Sequence, residues 1–290
     1  MATPFLKWAG GKAKLTSEIL SLAPPDFRVY HEPFLGGGAV FFGLSEKQGS
    51  INALLNDLNH DLIETYEVVR DSVEDLVSAL ASIAATYGAA GAHERSEFYY
   101  EQRSAAPSSP VERAARLIFL NKTCYNGLYR VNRKGEFNVP HGTYANPRIL
   151  DAAGLRECSV SLRHATLSCD DFATACRRAH PRDLAYLDPP YQPLSATASF
   201  TSYTAGSFGE DQQTRLRDEF VDLSERGVAA ILSNSDHPLV RDLYRAFDMK
   251  PVTMSRAINS VGAGRAPVGE LLISNSGHPA VRQAFRSSPK

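Results

Sequence analysis

The chain has 290 residues, 43% hydrophobic and 22% charged, enough for a sizeable α/β domain with an insertion, or for two domains, and without the composition of long disorder. Its formal net charge of -1 offers no global basic field, which argues against a nonspecific nucleic-acid coat protein. Its four cysteines, Cys124, Cys158, Cys169 and Cys176, form no CxxC and have no His at ligand spacing, which excludes a zinc framework or disulfide scaffold and makes a reducing cytoplasm the expected compartment.

In chain order, Met1-Ala2-Thr3-Pro4 does not open a signal sequence, and no run of about 18 apolar residues is available to span a bilayer. Helical spacing runs from Lys12 to Ala23. Val29 to Phe34 is strand-like and leads into Gly36-Gly37-Gly38, after which Ala39 to Leu44 opens a helix; Ile51 to Asn56 is a second apolar strand ending at Asp57. From Asp61 to Leu120 the pattern is helical, with loop signals at Gly88 to Gly91 and at Pro107-Ser108-Ser109-Pro110. Leu128 to Pro140 reads as a hairpin centred on Lys134-Gly135. Strand and helix signals then alternate to the end, with strands at Ala165 to Ser168 and at Leu184 to Leu187. The expected architecture is α/β, a mostly parallel sheet interrupted by a helical insertion.

The glycine turn is not of the NAD type, because the third glycine position of GxGxxG falls on Phe41, where a close helix approach needs a hydrogen. A Walker phosphate loop also fails, since Gly11-Lys12 has Leu6 at the required upstream glycine and Ala13 where Ser or Thr belongs. What remains is Phe34-x-Gly36-x-Gly38 followed by Asp57. That brings backbone close to a small ligand and sets a carboxylate at the next strand end, where it can accept from ribose hydroxyls or an ammonium group.

Asp188-Pro189-Pro190-Tyr191 follows an apolar strand and concentrates the means of holding a planar amine. The carboxylate accepts from an amino N–H, the prolines lack a competing N–H and fix φ so that carbonyls can face a site, and the tyrosine offers a stacking face. The stretch 112–163 is locally basic, with aromatics and amides interleaved from Tyr125 to Gly135, a mixture suited to phosphates and base edges.

Six blocks in order, Phe5-Leu6-Lys7-Trp8-Ala9-Gly10-Gly11-Lys12, Glu32 to Gly38, Asn56-Asp57-Leu58-Asn59, Tyr125-Asn126-Gly127-Leu128, Gly135 to Pro140 and Asp188 to Tyr191, make nearly the whole chain resemble DNA adenine methyltransferases of the Dam family. The runs Gln192 to Thr197 and Leu232-Ser233-Asn234-Ser235 add to the likeness. The resemblance implies a Rossmann-like methyltransferase fold using S-adenosylmethionine, with a catalytic domain of residues 1–57 and 148–290 and a helical and hairpin target-recognition domain of residues 58–147. Trp8 would pack against the donor beside Ala9, Gly10 and Lys12. Glu32, Pro33, Phe34, Gly36 and Gly38 would accommodate its methionine end and Asp57 its ribose. Asp171 and Phe172 would hold and cover its adenine, with Asp170 as the alternative carboxylate.

Asp188, Pro189, Pro190 and Tyr191 would carry catalysis, Asp188 also bordering the donor. By the same resemblance Arg130 and Lys7 would read guanines, Leu128 and Pro140 would face thymine, Asn126 would touch a base or the backbone, Tyr125 would wedge at the flipped step, and Asn132 would lie among the hairpin contacts. The implied target is GATC in double-stranded DNA, and the implied setting is a monomer at the nucleoid of a bacterial or phage-infected cell, with no metal. Tyr129 departs from the cysteine expected before the arginine and Val131 from the aromatic expected after it. The alternatives are a planar amine of another acceptor, cytosine N4 or a protein amide, another DNA sequence, or a catalytically silent DNA-binding module.

Overall fold

The computed structural model describes residues 2–8, 10–132, 134–191, 208–254 and 268–286. Its strands form one seven-stranded sheet: β1 (Tyr30–Glu32), β2 (Ala53–Asn56), β3 (Ala165–Ser168), β4 (Leu184–Leu187), β5 (Ala229–Ser235), β6 (Asp248–Met254) and β7 (Val268–Ser274), in the order β3-β2-β1-β4-β5-β7-β6. β1 to β5 are parallel, and β7 runs antiparallel between β5 and β6. The sheet is Rossmann-like, as expected of a methyltransferase fold. Both faces are covered. Leu184, Tyr186, Ala229 and Ile231 join one hydrophobic cluster, whereas Ala185, Leu187, Ala230 and Leu232 join the other. Two-sided burial explains why these strands read as continuous apolar runs with no alternation.

In chain order the helices are α1 (Thr16–Leu22), α2 (Ala39–Gln48), α3 (His60–Asp71), α4 (Val73–Ala89), α5 (Ala92–Ser104), α6 (Pro110–Thr123), α7 (Ala152–Leu162), α8 (Phe172–Arg177), α9 (Glu210–Glu225), α10 (Pro238–Leu243) and α11 (Pro279–Arg286). The α2, α3 and α7 helices pack together on one side, and α8 and α10 pack against α9 on the other. Helices α4 to α6 stack outward from α3, itself laid against β3. Local chemistry sets their ends. Asn59 caps α3 by accepting from the Leu62 N–H at 3.2 Å, and Ser109 and Glu112 form a reciprocal capping box ahead of Pro110 in α6.

Three boundaries differ from the sequence reading for identifiable reasons. The first helix begins at Thr16, because Lys12 to Leu15 form a turn closed by the Leu15 N–H on the Lys12 carbonyl at 2.8 Å. The long helical block breaks additionally at Ser72, whose φ of -139° ends α3 and starts α4 without any glycine or proline. The hairpin at 128–140 is short: Val131 and Phe137 form a lone bridge, flanked by the Asn132 N–H on the Glu136 carbonyl at 2.8 Å and the Asn138 N–H on the Arg130 carbonyl at 3.0 Å.

The strand order reverses between β1 and β4: the chain first builds outward through β2 and β3, then in the opposite direction through β5. In open α/β sheets the crevice beyond the carboxyl ends at such a reversal is where ligands bind. Here those ends are Glu32-Pro33-Phe34 and Asp188.

Candidate active site

β1 delivers Glu32, buried at 3% exposure, whose carboxylate accepts from the Tyr30 hydroxyl at 2.8 Å. Burial holds this carboxyl well above its ordinary range, and Asp188 nearby pushes the same way. The chain then turns through Gly36 (φ +48°) and Gly38 (φ +67°), a left-handed backbone that glycine adopts without strain. A Cβ on Gly36 would lie 2.8 Å from the Trp8 indole, and one on Gly38 would lie 2.8 Å from the Tyr66 hydroxyl. Glycine is therefore required twice over, by angle and by contact.

Asp57, at the end of β2, accepts from the Gly36 N–H at 2.9 Å and from the Asn59 N–H at 3.0 Å, which ties the second strand end to the glycine turn. Its carboxyl is raised by burial against those bonds. Asn56, 2% exposed, bonds the Pro33 carbonyl at 3.0 Å and both the carbonyl and the N–H of Asp170 at 2.9 Å, locking three strand ends together. Phe34 stacks on Phe172 with ring centroids 5.3 Å apart. Asp171 caps α8 through the Ala173 N–H at 3.0 Å and is gripped by Arg215, whose guanidinium also lies 4.6 Å over the Phe172 ring. Asp170 instead pairs with Arg178.

At the end of β4, Asp188 meets Lys12. The ammonium, in a side chain only 3% exposed, lies 2.9 Å from the Asp188 carboxylate, 2.7 Å from the Gly10 carbonyl and 4.9 Å from the centre of the Tyr191 ring. Burial raises the Asp188 carboxyl, and the Lys12 charge offsets part of that. Behind this turn, Gln213 on α9, fully buried, donates to the Pro190 carbonyl at 3.3 Å and accepts from Asn234 at 2.9 Å. Pro189 is buried beside it. Trp8, Gly10, Lys12, Glu32, Pro33, Phe34, Gly36, Gly38, Asp57, Asp171, Phe172 and Asp188 to Tyr191 thus gather around one end of the parallel strands. Ala9 and the run 192–197 lie outside the described residues.

The residues expected at DNA form an adjoining group. Lys7 is exposed and its ammonium stands 4.7 Å over the Tyr144 ring. Tyr125 is 46% exposed at the start of a tight turn in which Asn126 has φ +56°, and its N–H donates to the Pro140 carbonyl at 2.9 Å. Arg130 is exposed and held by the Asn138 side chain at 2.7 Å. Asn132 is engaged within its own hairpin, accepting from the N–H groups of Lys134 at 2.9 Å and Glu136 at 3.0 Å. Leu128 is half-buried and Pro140 exposed. Trp8 stacks on Tyr129 at 5.1 Å, joining the strand-end group to the hairpin.

Comparison with known proteins decides what this pair of groups belongs to. Residues 8–258 match the model of the D12 class N6 adenine-specific DNA methyltransferases. The chain belongs to that family. Among named relatives, it is 42% identical to Type II methyltransferase M.MjaIII of Methanocaldococcus jannaschii over 93% of this chain and 98% of that protein. It is 38% identical to Type II methyltransferase M1.LlaDCHI of Lactococcus lactis subsp. cremoris, over 93% and 94%. To the DNA adenine methylase of Escherichia coli strain K12 it is 36% identical, over 92% and 93%. Membership of the D12 class makes it an enzyme acting on adenine in DNA, in place of the cytosine and non-catalytic alternatives.

Several members of the site escaped the sequence reading. Asn56 sat inside a quoted block, Asn234 in another, but nothing in either marked the buried bridge each makes. Gln213, Arg215 and Tyr66 carry no motif at all. Among the described residues no group of three or more His, Cys, Asp or Glu side chains is arranged to hold a metal, and no helix is long and apolar enough to cross a membrane.

Proposed function

We propose that this D12 methyltransferase transfers the methyl group of S-adenosylmethionine to N6 of an adenine rotated out of double-stranded DNA, and that its target is GATC. The observation that carries the reading is the environment of the Lys12 ammonium. Beside it stand the Asp188 carboxylate at 2.9 Å and the Tyr191 ring centre at 4.9 Å, an acceptor and a face that an exocyclic amine on a flat ring needs, with the Pro189 carbonyl next in the chain as a second acceptor.

The donor fits the neighbouring groups. Gly36 and Gly38 clear space for close backbone approach, Asp57 offers a carboxylate at the strand end, and Phe34 with Phe172 supplies aromatic surface. When bound, S-adenosylmethionine supplies an electrophilic methyl on a sulfonium. Asp188 would accept one hydrogen of the adenine amine and the Pro189 carbonyl the other, favouring a pyramidal nitrogen with its lone pair off the ring; as the N–CH3 bond replaces the donor's S–CH3 bond, the proton that N6 sheds would leave by way of Asp188. Holding both reactants in line supplies about 7 to 11 kcal/mol of the barrier reduction. Extruding the base costs a few kcal/mol, and stacking on Tyr191 returns about 1 to 3 kcal/mol.

Sequence choice is assigned to the residues 58–147 together with Lys7, and chemistry to residues 1–57 and 148–290, in a chain acting as a monomer. Arg130 reads one guanine through O6 and N7 and Lys7 the other, Leu128 and Pro140 face thymine, Asn126 and Asn132 contact the nucleotides near the turn, and Tyr125 fills the step vacated by the flipped base. Single-molecule sequencing of DNA from cells expressing only this enzyme tests base, position and sequence together; marks at sites other than GATC would refute the target. For the catalytic role, Asp188→Ala should abolish single-turnover methylation while DNA affinity changes less than about threefold. Turnover comparable to that of the unaltered enzyme would refute it.

A further inference from the structure

Asn121 stands in the last turn of α6, outside every group discussed above, and is 1% exposed. Its side-chain oxygen accepts from the Lys7 N–H at 2.8 Å and its amide nitrogen donates to the Lys7 carbonyl at 2.8 Å. The same nitrogen donates to the Gly127 carbonyl at 3.3 Å. One buried amide thus binds both backbone groups of Lys7, 114 residues away, the way a neighbouring strand would, and uses its remaining N–H to hold the turn that begins at Tyr125.

The turn presses back on the same residue. Gly127 has φ +62°, and a Cβ there would lie 2.5 Å from Cδ and 2.8 Å from Cβ of Lys7. On its other side the Lys7 ammonium lies over the Tyr144 ring. Lys7 is therefore fixed at its backbone by Asn121, along its stem by Gly127 and at its tip by Tyr144. An exposed lysine ordinarily has four rotatable bonds and no fixed direction; this one has little freedom below its last carbons.

We propose that Asn121 is a positioning residue for target recognition. It locks the base-reading Lys7 to the Tyr125 turn, so that contact at one base pair and insertion at the flipped step occur as a single event. The inference rests on the reading of Lys7 and Tyr125 as DNA contacts, though not on the identity of the sequence read. It makes Asn121 act on discrimination, through Lys7, and leaves donor binding alone.

The test takes the sequence that the unaltered enzyme prefers, whatever it proves to be, and measures kcat/KM on it and on a duplex changed at each base pair of the site in turn. Asn121→Ala should lower the discrimination ratio at one outer position about tenfold, the scale of one good base contact, with donor affinity unchanged. In a Lys7→Ala background the same substitution should change that ratio less than about twofold, because the residue it acts through has lost its reading group. Asn121→Asp, which keeps the acceptor for the Lys7 N–H but loses the donations to the Lys7 and Gly127 carbonyls, should relax the same position and decides the matter if Asn121→Ala fails to fold. Equal loss on preferred and altered duplexes, or a full effect of Asn121→Ala without the Lys7 side chain, would overturn the inference. Relaxed discrimination at a preferred sequence other than GATC would uphold it and remove GATC alone. An unaltered enzyme with no preference would end both readings.

Discussion

At the residue scale, the Lys12–Asp188 pair has a consequence for pH. Burial moves the Asp188 carboxyl upward, and the Lys12 ammonium at 2.9 Å pulls it part of the way down. Under the proposed function the ionised Asp188 carboxylate accepts a hydrogen from the target amine, so methylation should fall as pH drops through its titration. Replacing the ammonium with an apolar chain in Lys12→Met removes the lowering influence and leaves burial unopposed. The acid limb of the single-turnover rate should therefore move to higher pH, with activity recovering at the alkaline end once the carboxylate is ionised again. A limb that stays in place in this variant would show that Lys12 does not set the charge of Asp188.

At the scale of elements, the proposed function makes the hairpin join reading to holding. Arg130 on it is exposed, and its Nε and Nη2 donate to the Asn138 side chain at 2.7 Å and the Asn138 carbonyl at 3.3 Å, bonds that would steady the guanidinium for the guanine contact proposed above. Arg130→Ala should cost about 1 to 3 kcal/mol of discrimination at one guanine and leave methylation of sites already altered there nearly unchanged. Uniform slowing on all duplexes would make Arg130 a phosphate contact. This hairpin was legible in outline because Lys134-Gly135 between apolar flanks signals a turn through local backbone demand alone. The glycine turn after β1 and the Asp188 turn after β4 were legible for the same reason: positive φ, absent Cβ or fixed φ restrict residue type at the position itself. What escaped were pairings decided by the tertiary fold. Nothing local in Asn121, Gln213 or Arg215 announces a partner 114, 23 or 44 residues away, and Ser72 breaks a helix with none of the usual punctuation.

For the whole molecule, the sheet depends on a buried hydrogen bond at the opposite end of its switch point. His31 on β1 and Asp183 just before β4 are each 2% exposed and meet at 3.0 Å, and Asp183 also accepts from the His180 N–H at 2.8 Å. The two strands that bracket the reversal, and hence Phe34 and Asp188 at their far ends, are joined here. Burial alone would raise the Asp183 carboxyl, but the bonds from His31 and His180 outweigh it and hold it below its ordinary value. A carboxyl depressed on folding adds stability above the unfolded value of about 3.9, and that contribution disappears as pH falls through the lower, folded value. His31→Leu, which leaves a buried carboxylate without its ring partner, should cost about 1 to 3 kcal/mol near neutrality. In urea titrations across pH the gap between variant and unaltered protein should narrow as pH falls from the titration of Asp183 in the variant, moved upward by the loss of His31, to its lower value in the unaltered protein, as the carboxyl takes up a proton first in one and then in the other. A gap of the same size at every pH would mean that lost packing of the imidazole, and not its bond to Asp183, holds β1 against β4.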